Sequence, residues 1–304
     1  MSLVGGSPLK VFGYLPEWRY VAERDWEAVC CRLTHLIYFS IEVLEDGTFT
    51  ALDRLPPPDF ESIVKAASTK CNTKMIISFG GYGRTNGFPG LVLNAASRRN
   101  FINNIVSLLQ SHSWDGVDLN WEYPTSQSEW SGLFQLCEEL NREFKPRSWE
   151  VSMALYPGQE RLLTPQAIHN VHYFHMMTYD QHGQHSTMDF YLKSLQAIKN
   201  ANLPLHQFTL GVPFYGRNIE TGQWETYDQI LQNNPSLSTD KDQVGKIYFN
   251  GLSTIQKKVL LAQEHQFGGI MIWEIGQDTD PKNPLSLLNA ISTLIEDPKS
   301  KTEL

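Results

Sequence analysis

The chain is expected to fold as one α/β unit, a closed (β/α)8 barrel, and three features of the sequence carry that expectation. Eight short apolar runs alternate with eight amphipathic stretches. The successive pairs mostly lie roughly 25–40 residues apart, a spacing that a parallel strand followed by a returning helix requires. The length of 304 residues suits one barrel of about 250 residues with modest elaboration. Two ordinary domains would fit the length equally well, but the unbroken alternation argues for one.

The predicted strands cover 10–15, 33–41, 74–79, 116–121, 150–155, 173–179, 208–213 and 269–273. Each is rich in Val, Ile, Phe or Tyr and is bounded by Gly, Pro or Asp. The predicted helices cover 26–32, 60–68, 97–111, 128–144, 165–170, 188–200, 254–266 and 285–295. Ser97 stands as the starter of the third, ahead of Phe101, Ile102, Ile105, Leu108 and Leu109, which recur at helical spacing. Thr164-Pro165 reads as an N-cap followed by proline at the first helical position. Residues 218–247, between strand seven and its helix, are polar and rich in turn residues, and are expected to be a short elaborated loop. Residues 1–8 read as a leader and 297–304 as a charged, solvated tail.

Twenty-five Lys and Arg against 33 Asp and Glu give a net charge of −8, which argues against a nucleic-acid binder with its basic face. No apolar stretch reaches the 18 or so residues of a membrane span, so no membrane partner is expected. The first residues lack the charged and apolar regions of a signal peptide. They resemble the start of a trimmed chain, so a secreted or lumenal location is expected if a signal peptide was removed. Four cysteines, Cys30, Cys31, Cys71 and Cys137, are too few for a disulfide scaffold and lack zinc-site spacing. They read first as buried apolar thiols, with a single bridge from Cys30 or Cys31 to Cys71 left open.

The informative segment is Asp115-Gly116-Val117-Asp118-Leu119-Asn120-Trp121-Glu122. Side chains alternate along a strand, so Asp118, Asn120 and Glu122 share one face and Val117, Leu119 and Trp121 the other. In a barrel the first set forms a polar row climbing to the mouth. Burying such carboxyls costs several kcal/mol unless something uses or satisfies them. The row therefore points to a titratable acid at the top, tuned by the groups below it.

These residues resemble the Asp-Gly-x-Asp-x-Asp-x-Glu motif of glycoside hydrolase family 18, the chitinases and their relatives, with Asn120 in place of the third Asp. The likeness runs along most of the chain: Phe12-Gly13-Tyr14-Leu15-Pro16, Ile77-Ser78-Phe79-Gly80-Gly81, Met176-Met177-Thr178-Tyr179-Asp180, Gly211-Val212-Pro213-Phe214-Tyr215-Gly216-Arg217 and Gly269-Ile270-Met271-Ile272-Trp273-Glu274 resemble the family's strands one, three, six, seven and eight. The resemblance implies hydrolysis of β-1,4 bonds next to N-acetylglucosamine, in chitin or its oligosaccharides, with retention of configuration. The substrate's own acetamido oxygen is then the nucleophile. Neither cofactor nor metal is implied, and a monomer is expected.

By that resemblance Glu122 is the acid, Tyr179 bonds the acetamido oxygen, and Trp273 lies under the reactive sugar. Met177 and Asp180 line its pocket. Tyr14, Tyr215 and Arg217 meet sugar hydroxyls, with Phe39, Gly81, Tyr82 and Trp121 as further contacts. Ser78 bonds Asp118, and Asp115 supports the strand. The family's non-proline cis peptides are expected at Glu122-Tyr123 and Trp273-Glu274. Asn120 can accept the acetamido N–H through its carbonyl oxygen but cannot carry charge or a shared proton. The loss of one such contact costs about 10²–10³ in rate. Three readings of Asn120 stand open: an engineered change that traps substrate, a natural residue in an enzyme that is slow or tuned to lower pH, or a chitin-binding lectin. The presence of Glu122, Tyr179 and Trp273 weighs against the last. An endo-N-acetylglucosaminidase acting on N-glycans is a further alternative.

His169, His172, His175, His182 and His185 are dense, but barrel geometry sends the first two and the last two to opposite ends, so no metal site is expected. Gly80-Gly81-Tyr82-Gly83 lacks the Lys-Ser/Thr of a phosphate loop. Trp18 and Trp224 read equally as sugar platforms and as packing. The short segment between Arg217 and Gly268 leaves little room for an inserted domain, so the cleft is expected to be shallow on that side.

Overall fold

The computed structural model describes residues 8–296. Eight parallel strands form the barrel: β1 (Lys10–Pro16), β2 (His35–Val43), β3 (Lys74–Gly80), β4 (Gly116–Asn120), β5 (Glu150–Leu155), β6 (Tyr173–Met176), β7 (Phe208–Pro213) and β8 (Gly269–Trp273). Neighbours in the sheet follow chain order, and β8 pairs with β1 through Lys10 and Gly269 to close the ring. The predicted fold class is therefore observed. The tail over 297–304 and all of the leader but Pro8 lie outside the described residues.

The differences at strand ends have local causes. β2 begins at His35 because the Leu33 N–H still bonds Cys30 in a turn, 2.9 Å. It continues to Val43 because Phe49–Thr50 pairs with it antiparallel. β6 stops at Met176, three residues short of the prediction. There the Thr178 N–H turns back to the Met176 carbonyl, 2.9 Å, and the chain leaves the sheet for the barrel mouth.

Helix starts follow capping chemistry. Thr164 accepts the Ala167 N–H at 3.3 Å, as predicted. The helix expected to start at Ser97 instead spans Ala95–His112, because the Asn94 side chain accepts from Ala96 and Ser97. Ser126 and Glu129 form a reciprocal capping box on Gln127–Phe144.

Residues 218–247 are more ordered than a loop. With Tyr215–Asn218, the segments Trp224–Thr226, Gln243–Val244 and Ile247–Tyr248 make a four-stranded antiparallel sheet, which encloses the helix Tyr227–Asn233 in sequence. Strands of two to four residues are too short to show a period of two, so the pattern was not readable. Cys31 and Cys71 form a disulfide across 40 residues, correcting the reading of four thiols; Cys30 and Cys137 are free and buried.

Two apolar layers result. The outer one lies between the sheet and its helices. The inner one, with Phe12, Tyr14, Ile37, Phe39, Ile76, Met177, Tyr179 and Met271, fills the barrel below its mouth. A filled interior leaves the ends of the barrel to form a site, and in this fold the loops after the carboxyl ends of the strands are where sites are built.

Candidate functional site

Strand alternation along β4 places Val117 and Leu119 in the outer layer and Asp118 and Asn120 inside the barrel, all buried. Asp118 is enclosed. The Tyr14 hydroxyl and the Ser78 hydroxyl donate to its Oδ2 at 2.9 and 2.8 Å, and the Ser152 hydroxyl donates to Oδ1 at 2.8 Å. Burial pushes its carboxyl above the usual range, while the three hydroxyls oppose that shift. His175 lies beside it, Nε2 to Oδ1 3.9 Å, with Nδ1 bonded to Thr209 at 2.8 Å. Burial lowers His175 to about 3, so its ring is neutral.

Above this layer opens a cavity of about 810 Å³. Glu122 and Asn120 line it, together with Tyr14, Phe39, Tyr82, Met177, Tyr179, Asp180, Tyr215, Arg217 and Trp273. Eleven predicted residues thus converge on one space. Trp273 packs edge-on against Phe39, ring centres 4.6 Å apart, and leans on Tyr14 at 5.6 Å. Non-proline cis peptides occur at Glu122-Tyr123 and Trp273-Glu274, as expected, and also at Phe39-Ser40.

Burial raises the Glu122 carboxyl to about 7, and the Asp180 carboxylate pushes it the same way. The Tyr123 and Asn120 side chains and the Tyr82 backbone pull against them. Asp180 is itself fixed, accepting from the Tyr215 hydroxyl at 2.7 Å and from Arg217 Nη1 at 3.0 Å. Tyr179 has a buried hydroxyl whose protein partner is the Met271 sulfur, at 3.4 Å. The buried Asn120 Oδ1 has no hydrogen-bond partner among the described residues. The Tyr179 hydroxyl, held only by a sulfur, and the unpartnered Asn120 carbonyl oxygen are thus available to a ligand in the cavity.

Three residues stand elsewhere than expected. Trp121 does not reach the cavity. It belongs to the outer layer and stacks on Phe88 at 5.2 Å, as strand alternation demands. Gly81 stands behind the wall rather than in it. Its φ is +100°, and a Cβ there would come 2.2 Å from the Phe39 ring, so the glycine makes room for that ring. Asp115 sits at the base of the strand, where its carboxylate accepts the Met75 N–H at 2.8 Å.

Sequence reading missed Arg84, Tyr123, Ala154, Tyr156, Met271, Glu274 and Gln277, and left Trp18 and Trp224 undecided; all nine line the cavity. Arg84 braces the rim. It bonds Glu17 at 2.7 Å and lies 5.5 Å from the Trp18 ring centre. Glu274 is buried and paired with Arg19 at 2.8 Å. The long-range partners were invisible in the sequence, although the aromatic type of Tyr123 and Tyr156 could have drawn attention. Among the described residues no cluster of three His, Cys, Asp or Glu could hold a metal ion, and no helix is long and apolar enough to cross a membrane.

A cavity at the carboxyl ends of the barrel strands, lined by aromatic rings and by one carboxyl raised to about 7, has the chemical means to protonate a leaving oxygen. It defines a glycoside hydrolase barrel. Residues 10–278 match the glycosyl hydrolases family 18, and the chain belongs to that family. It is 27% identical to an endochitinase of Manduca sexta over 225 residues, 62% of this chain and 40% of that protein. It therefore spans well under half of that relative. A family 18 chitinase from the chitin utilization locus of Flavobacterium johnsoniae superposes with a TM-score of 0.81 at 28% identity, covering 96% of this chain and 94% of the other. A chitinase of Bacteroides thetaiotaomicron shares the fold, with a TM-score of 0.82 at 23% identity over 96% of this chain and 98% of its own.

Proposed function

We propose that the protein hydrolyses β-1,4 linkages of N-acetylglucosamine in chitin or chito-oligosaccharides, by substrate-assisted catalysis with retention, at a rate reduced by Asn120. The observation that carries this reading is the Glu122 carboxyl, raised to about 7 by burial and by Asp180, over a cavity walled by Trp273. The relatives named endochitinase and chitinase support chitin as the polymer.

In this reading the Trp273 ring carries the apolar face of the reactive sugar. Each Å² of apolar area hidden there contributes roughly 25 cal/mol. Glu122 gives its proton to the leaving oxygen. As the bond from that oxygen to C1 breaks, the acetamido oxygen attacks C1 and forms an oxazolinium ion. The Tyr179 hydroxyl bonds the acetamido oxygen, and the unpartnered Asn120 Oδ1 accepts the acetamido N–H. Water then attacks C1, the Glu122 carboxylate takes its proton, and the ring opens. Two inversions give net retention. Asn120 orients the acetamide but adds no negative charge beside the cation.

The free acid must hold its proton, so kcat/KM should fall as pH rises through about 7. The product test is mass spectrometry after incubation with N-acetylglucosamine hexamer. Shorter N-acetylated oligosaccharides are expected. Binding without products would instead indicate a sugar-binding protein. Glycan release from a high-mannose glycoprotein, with the hexamer untouched, would indicate an endo-N-acetylglucosaminidase.

A further inference from the structure

We infer that Lys258 is a positioning residue for the site: its buried amine, with Asn250 and Ser186, ties the loop from Thr178 to Ser186 shut and thereby holds Asp180 against Tyr215 and Arg217. Lys258 lies on the helix Leu252–Glu264, outside the cavity. It is completely buried, as is Ser186, and Asn250 is nearly so. Its Nζ donates to Asn250 Oδ1 at 2.7 Å, to Ser186 Oγ at 2.8 Å and to the Ser186 carbonyl at 3.1 Å. Three acceptors match the three protons of an ammonium. The Tyr191 ring centre lies 5.1 Å away. None of these partners is a carboxylate, and burying an ammonium without one costs several kcal/mol. Burial accordingly lowers the amine to about 7, with Asp242 the opposing charge.

That cost maintains a specific connection. The Ser186 hydroxyl lies between two acceptors, the Thr178 carbonyl at 3.3 Å and Asn250 Oδ1 at 3.0 Å, and the Asn250 amide donates to the Ser186 carbonyl at 2.9 Å. The Gln181 N–H bonds the His185 carbonyl at 3.1 Å. The segment is thus a closed loop, stitched at its neck to Lys258 and Asn250. Asp180 sits within it at a φ of +63°, a backbone conformation that persists only where the surroundings impose it. The buried His185 ring backs the carboxylate, Nδ1 to Asp180 Oδ1 3.7 Å. Burial, with Arg217 and Lys258 nearby, lowers His185 to about 3, so it fills space without charge. If the neck opens, Asp180 loses its fixed place, and Glu122 loses the carboxylate that helps it keep its proton.

The effect on turnover rests on the role proposed for Glu122, so the test reads the carboxyl itself, without sugar. The Glu122 titration is followed by carbon NMR in the whole chain for the parent, Asp180→Asn, Lys258→Met and Ser186→Ala. Besides Asp180, the titratable groups coupled to Glu122 are Tyr14, Tyr123 and Tyr179, all neutral across the range. Asp180→Asn should lower the Glu122 midpoint by about one pH unit. Lys258→Met should lower it by most of that amount, and Ser186→Ala by a smaller amount. Loss of the positive charge that Lys258, its amine lowered to about 7, still carries at the Glu122 midpoint would raise that midpoint, so the sign separates the two effects. A folded Lys258→Met protein with an unchanged or raised midpoint overturns the inference. If Lys258→Met does not fold, an unchanged midpoint in Ser186→Ala overturns it. Failure of the parent to cleave chito-oligosaccharides would remove the proposed function and leave this result standing.

Discussion

Replacing Glu122 with glutamine is expected to abolish hydrolysis, by at least about 10³-fold, and to leave sugar binding within a few-fold of the parent. Glutamine keeps the shape and a carbonyl acceptor but has no proton to give and cannot take one from water. One positioned acid contributes about 10²–10⁴ to a proton-transfer step, and Glu122 serves in both halves of the proposed reaction. The surface proposed to bind the sugar is made by other residues of the same cavity, Trp273, Tyr14, Tyr215 and Arg217. Turnover measured beside a calorimetric titration with a chito-oligosaccharide separates the two. Hydrolysis near the parent rate removes Glu122 from the acid role.

The same substitution has a signature in stability. The folded carboxyl titrates near 7, against the ordinary 4.5, so the folded state holds its proton more tightly than the unfolded one. That preference favours folding at low pH and is lost as pH rises from about 4.5 through about 7, amounting to about 3 kcal/mol. Denaturant midpoints of Glu122→Gln should lack that decline, and the two proteins should diverge most at and above pH 7.

Introducing a carboxylate with Asn120→Asp is expected to raise kcat by about 10²–10³ with little change in affinity. In the proposed reaction the amide already offers the acetamido N–H an acceptor, so binding has little to gain. A negative charge beside the oxazolinium proposed to develop there would act mainly in the transition state and lower the barrier. It also stands near Glu122 and disfavours ionisation there, so the alkaline limb of the pH profile should move upward from about 7. Unchanged or lower turnover would contradict this account of Asn120.

The barrel was legible because its signal is local and repeated. Each buried strand is a short apolar run and each helix shows a stripe, so all eight strands are found with shifts of only a few residues. The converging site was legible for a different reason. Asp118, Asn120 and Glu122 are linked by strand periodicity, and the other motifs sit at the carboxyl ends of successive strands, which a closed barrel must bring together. What stayed hidden depends on contacts between distant positions. Nothing local marks Lys258 as buried beside Ser186, Glu274 as the partner of Arg19, or Cys31 rather than Cys30 as the partner of Cys71. Trp121 is the opposite case. Alternation along its own strand points it away from the cavity, although the resemblance implied a contact.

The most direct measurement is the configuration of the first product. Hydrolysis of an N-acetylglucosamine tetramer, started in deuterated water, is followed by the anomeric proton signals before mutarotation equilibrates them. Attack by the sugar's own amide, followed by water from the opposite face, predicts that the β-anomer appears first and decays toward the mixture. Initial appearance of the α-anomer would mean a single displacement by water and would contradict the role given to the acetamide, to Tyr179 and to Asn120.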